Sequence, residues 1–173
     1  LYPDKTQDEK NAIFKSLINK KWEQEKKNIL ADKINIYEQE ISKEVETIID
    51  TNMADYFLLD YEIVKRGVEM GGHITLTSRG SAPSFYLSKL LGFTTIDRIS
   101  AEVKLFPERF ITKERILEAG TLPDIDLNLG NPEVFYEAQK EILGENNSFP
   151  MLAYGTAKPK AAWKIYARAQ GLD

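Results

Sequence analysis

Apolar positions in the first fifty residues recur at helical spacing. Phe14, Leu17, Ile18 and Trp22 share one face, and Ile34, Tyr37, Ile41, Val45 and Ile48 share another, with charged residues between them. An apolar stripe of this period predicts two amphipathic helices, joined near Ala31-Asp32. A third helix is expected over 55–70, with Phe57, Tyr61, Val64 and Val68 as its stripe and Gly71-Gly72 as its stop, because glycine takes the left-handed cap without strain. Further on the pattern changes. Short apolar or alternating runs at 73–76, 105–110, 123–127 and 151–154 read as strands or extended segments. Helices are expected between them: one with Ser81 as N-cap and Gly92 as stop, one capped by Thr112 and ending at Gly120, one opened by Asn131-Pro132 and closed by Gly144, and one after Gly155-Thr156. The expected fold class is therefore α/β (α+β), a small mixed sheet with packed helices over 53–173, preceded by a helical lead-in segment over 1–52.

Chemistry concentrates in two places. Pro123-Asp124-Ile125-Asp126-Leu127-Asn128 sets two carboxylates on alternate residues. On an extended segment, residues i and i+2 share a face roughly 7 Å apart, so Asp124 and Asp126 point together while Ile125 and Leu127 face a core. Carboxylate pairs of this kind suit hard divalent ions such as Mg²⁺. A half-exposed strand with no metal has the same pattern. Asn128 has the parity of the aspartates and either lines the same site or ends the strand. Upstream, Ser78-Arg79-Gly80-Ser81 is a small, flexible turn before an expected helix. It could cradle phosphate through backbone N–H groups, with Arg79 adding charge, or simply be a capped helix beside a surface arginine.

Charge and composition narrow the field. The chain has 173 residues and a net charge of −4, against the basic balance common in nucleic-acid binders. Lys160, Lys164 and Arg168 are spaced four apart, which lines them up on one face of the last helix. That stripe suits either the phosphates of a DNA backbone or plain solvent. The single histidine, His73, has no companion ligands in sequence, and there is no cysteine, which excludes thiolate metal sites and disulfides. No apolar run approaches the ~20 residues of a membrane span, so a cytoplasmic location and no membrane partner are expected.

Five motifs in order carry a resemblance: Ala54-Asp55-Tyr56-Phe57-Leu58, Ser78-Arg79-Gly80-Ser81-Ala82, Phe106-Pro107-Glu108-Arg109-Phe110, Pro123-Asp124-Ile125-Asp126 and Tyr154-Gly155-Thr156-Ala157. Together they resemble the bacterial replicative DNA polymerases of family C, the DNA polymerase III alpha subunits, over nearly the whole chain. The chain departs from the family at Thr75-Leu76-Thr77-Ser78, where a glycine-rich run is usual, and at Pro83, Ser84, Phe85 and Tyr86, where small residues are. It reads as a divergent member.

The resemblance implies a polymerase β-like nucleotidyltransferase palm and a DNA-directed DNA polymerase acting in DNA replication. Asp124 and Asp126 would be the catalytic metal ligands of a two-metal Mg²⁺ centre. Arg79, Gly80, Ser81 and Arg109 would bind the triphosphate of a dNTP, with primer-template DNA as the other substrate. A sliding clamp and other replisome subunits would bind through other parts of the protein. The family takes a third carboxylate from a downstream strand, and nothing after Asp126 offers one. The chain begins at Leu1, not Met, and is expected to be a piece of a longer protein, inactive when isolated. Two alternatives stand beside this reading: a nucleotidyltransferase with another acceptor, and a non-catalytic polymerase-like binding or scaffold domain.

Overall fold

A computed structural model describes residues 1–120, 122–150 and 155–172. Its helices are α1 (Gln7–Glu25), α2 (Ile34–Asp50), α3 (Ala54–Glu69), α4 (Tyr86–Leu90), α5 (Lys113–Leu117), α6 (Pro132–Leu143) and α7 (Pro159–Ala169). The first three match the apolar periodicity closely. α1 opens on a reciprocal cap: the Glu9 N–H donates to the Thr6 hydroxyl at 3.3 Å, and the Thr6 N–H donates to the Glu9 carboxylate at 2.8 Å. Gly71, at φ +95°, ends α3.

One core runs through these elements. Phe14, Ile18 and Trp22 of α1 pack with Tyr37, Ile41 and Ile48 of α2, Phe57 and Val64 of α3, and Tyr86, Leu87 and Leu90 of α4. Phe57 lies edge-on to both Phe14 and Phe110. On its other side α3 meets α6. The Phe135 ring lies on Gly67 and Gly72, where a Cβ would overlap it. That second contact explains why Gly67 is buried while the expected stripe residue Val68 is half exposed.

The expected fold class is corrected. Among the described residues there is no sheet. The runs read as strands yield one antiparallel bridge, Ile74 to Leu129, flanked by Thr75 N–H to Asn128 O at 2.9 Å and Gly130 N–H to His73 O at 3.0 Å. The pairing stops there because the chain bends at Leu76 and Thr77. The run at 105–110 is a 3-10 turn, Pro107–Arg109, opened by proline, which has no N–H to give a ladder. Two paired segments do not make a stable sheet by themselves, and here they rest on helices instead. The described residues therefore form a helical domain, not an α/β palm. The expected strand at 151–154 lies outside the described residues. Among the described residues no helix is long and apolar enough to cross a membrane.

The element after the turn also differs from expectation. Ser81 makes no capping bond. A 3-10 turn, Ala82–Ser84, comes first, Phe85 is extended, and α4 then runs for five residues.

Candidate functional site

The aspartate segment follows the alternation expected of it. Ile125, Leu127 and Leu129 pack on the core, which leaves Asp124, Asp126 and Asn128 on the other face. The segment is anchored at its start by Tyr56, whose hydroxyl donates to Pro123 O at 3.0 Å. Burial, with the charges of Asp60 and Asp124 nearby, raises the Tyr56 pKa and keeps the hydroxyl a donor. At the far end His73 lies over Gly130, where a Cβ would collide with its ring.

The turn at 78–81 sits against this face. Gly80, at φ +69°, brings its backbone so close to Asp126 that a Cβ would overlap the carboxylate. Glycine is required twice over, for the dihedral and for the approach. Arg79 Nε lies 3.5 Å from Asp126 Oδ1, with side chains 68% and 33% exposed. Among the described residues, no group accepts from the N–H of Gly80 or Ser81. Asn128 donates from Nδ2 to Thr77 O at 2.8 Å and to Thr77 Oγ1 at 2.9 Å. From the other flank, the Ser78 and Thr94 hydroxyls bond to each other, and Thr95 donates to Leu76 O at 3.2 Å.

The structure thus brings Arg79, Gly80 and Asp126 together. Asp124 is exposed, two residues before Asp126. Arg109 is exposed on the Pro107–Arg109 turn. Its neighbour Phe110 packs edge-on against Phe85, beside the 78–81 turn. Among the described residues the Arg109 side chain has no hydrogen bond or ion pair. Lys160, Lys164 and Arg168 lie on α7, which buries none of its residues.

Past the expected Gly80-Ser81 cradle, the head of α4 is claimed from within the protein. The N–H groups of Tyr86 and Leu87, at the head of α4, donate to Glu44 at 3.0 and 2.9 Å. Arg98 Nε donates to the same carboxylate at 2.7 Å, Arg98 Nη2 joins it, and Nη2 also reaches Glu40 at 2.8 Å. Burial pushes the Glu44 carboxyl up, and Arg98 with the two N–H groups opposes that shift. Every group aimed at Glu44 is a donor, so the ionised form fits the cage. This fastening was not foreseen. Its signal is a glutamate next to the stripe residue Val45, at a position that keeps helical register with Tyr37, Ile41 and Ile48.

Hard oxygen donors suit a divalent cation, and the space that a Gly80 Cβ would fill is taken by one of them, the Asp126 carboxylate. Among the described residues no three His, Cys, Asp or Glu side chains converge. With two carboxylates alone, a bound cation would draw the rest of its shell from substrate phosphates and water.

A family model described as "Bacterial DNA polymerase III alpha NTPase domain" matches residues 14–173. The chain belongs to this family. Similar proteins are the DNA polymerase III subunits alpha of Chlamydia pneumoniae, 32% identical over 79% of this chain, of Chlamydia muridarum, 31% identical over 79%, and of Streptococcus pyogenes serotype M1, 30% identical over 73%. These alignments cover 11%, 11% and 12% of the relatives, so this member of the polymerase family spans about a tenth of their length. No solved structure matches the chain.

Proposed function

We propose that this chain carries the nucleotide-binding and metal-binding centre of a DNA-directed DNA polymerase, which adds a dNTP to a primer 3′-hydroxyl in the longer protein. The observation that carries this reading is the contact of the Gly80 backbone with the Asp126 carboxylate. It sets a turn whose Gly80 and Ser81 N–H groups find no acceptor among the described residues beside the Asp126 carboxylate, as a metal–triphosphate complex needs.

Asp124 and Asp126 would hold Mg²⁺, which when bound would supply charge neutralisation of the phosphates and a more acidic primer hydroxyl. The Gly80 and Ser81 N–H groups bind phosphate oxygens. Arg79 turns from Asp126 to the triphosphate, and Arg109 adds charge from the neighbouring turn. The primer oxygen bonds to the α-phosphorus, the bond to the leaving pyrophosphate breaks, and the hydroxyl proton passes to solvent. The protein's part in such a transfer is positioning and charge. Lys160, Lys164 and Arg168 contact primer or template phosphates.

The test is primer extension by the longer protein. Asp124→Asn or Asp126→Asn should lower extension on the order of 1000-fold while DNA affinity and folding persist. Near-parental extension by either variant overturns the reading.

A further inference from the structure

We infer that Asn128 is a positioning residue whose amide braces the 77–80 turn against the aspartate segment, and that this brace sets the centre's affinity for a nucleotide triphosphate. The inference rests on the polymerase reading above for its consequence, but not for its geometry.

Backbone pairing between the two segments reaches Thr75 and goes no further. From Leu76 the chain bends away, and the residues that matter for phosphate lie beyond that bend. Asn128 spans the gap. Both hydrogens of its Nδ2 are spent on Thr77, one on the carbonyl and one on the hydroxyl. A carbonyl can only accept, so the nitrogen end of the amide must face Thr77. Asn128 shares its face with Asp126, so the two meet the turn side by side, Asp126 at Gly80 and Asn128 at Thr77. The Thr75 hydroxyl also donates to Thr77 O, at 3.0 Å, but from within the turn's own stretch of chain, and Ser78 with Thr94 and Thr95 with Leu76 tie the turn to the segment after α4; none of these reaches the aspartates. Among the described residues, the other side-chain link from the aspartate face to the turn is the loose Arg79–Asp126 pair. Asn128 therefore fixes the distance between the N–H groups and the carboxylates that must grip one triphosphate together. A misplacement of about 1 Å at such a centre costs roughly 100-fold, and a loosened turn costs part of that.

The experiment has two arms. In the longer protein, Asn128→Ala should raise the KM for dNTP about tenfold while kcat stays within about threefold. Thr77→Ser should behave like the parent. Thr77→Val should raise KM by a smaller factor and add nothing on top of Asn128→Ala. In the chain without substrate, amide exchange at residues 78–81 should quicken in Asn128→Ala but not in Asp124→Asn. Circular dichroism serves to check that both variants keep their helices. Unchanged exchange overturns the brace. Faster exchange with an unchanged KM, or a fall in kcat alone, overturns its role in nucleotide affinity. The exchange arm is independent of how the aspartate variants perform in primer extension, so failure of the brace and failure of the polymerase reading are distinguishable.

Discussion

Two carboxylate–arginine pairs bracket residues 79–87, and they are built in opposite ways. Glu44 and Arg98 are 2% and 6% exposed at the side chain, and the Glu44 carboxylate faces the guanidinium together with two backbone N–H groups. Arg79 and Asp126 are 68% and 33% exposed and 3.5 Å apart. A buried, saturated pair cannot change partner without stranding a charge, whereas an open pair is worth little in water and yields easily to a ligand. The same two chemistries thus make a fastening in one place and an open, exchangeable pair in the other. Burial and the number of donors decide which.

The sharpest way to break the comparison is Glu44→Ala. It leaves the two N–H groups of α4 unpaired inside the protein and the buried Arg98 with Glu40 as its remaining partner. Unfolding in urea should show a loss of about 3–5 kcal/mol. A loss under ~1 kcal/mol would mean the fastening is not one.

Asp60 sharpens it next, being a partly buried carboxyl to which, among the described residues, no hydrogen bond or ion pair reaches. Burial raises its pKa from 3.8 to about 6. The folded chain then holds a proton that the unfolded chain releases, so the stability this group contributes is full below about pH 4 and is lost as pH rises through about 6. Asp60→Asn should flatten that slope and add up to ~3 kcal/mol at pH 7, less where water reaches the carboxyl. Unfolding midpoints at pH 4 and pH 7 decide it; a slope that persists in the variant assigns the effect elsewhere.

The smallest effect belongs to the open pair. Arg79→Gln should leave stability within about 0.5 kcal/mol of the parent, while weakening nucleotide binding in the longer protein. A stability loss above ~1 kcal/mol would erase the contrast with Glu44.

Much of this was legible in the sequence. Helical periodicity located α1, α2 and α3, the Asn131-Pro132 start and Gly144 stop located α6, and the spacing of Lys160, Lys164 and Arg168 survives on α7. The acid–aliphatic alternation of 124–129 is real, and so is the meeting of the turn with Asp126. The sheet was misread because a short alternating run specifies an extended backbone and a buried face, but not what covers that face. Here helices do. Glu44 was missed because a charged residue in a buried stripe reads as an interruption until its partner, 54 residues on, is known. The helix start expected at Ser81 falls at Tyr86 instead, because Ala82–Ser84 close into a 3-10 turn and Phe85 is extended.

The glycine pair beneath Phe135 has a consequence for how the aspartates are held without a sheet. Tyr56, near the start of α3, fixes Pro123, and the far end of the same helix, through Gly67 and Gly72, seats Phe135 just past Gly130. From Tyr56 to Gly67 the helix advances about 16 Å at 1.5 Å per residue, and the chain runs on to Gly72, while an extended run from Pro123 to Gly130 covers about 23 Å. The helix serves as a ruler, and the acidic segment is strung along it between two pegs. Adding one residue to α3 between the pegs would turn one about 100° from the other and slacken the string, although no residue of the acidic segment had changed.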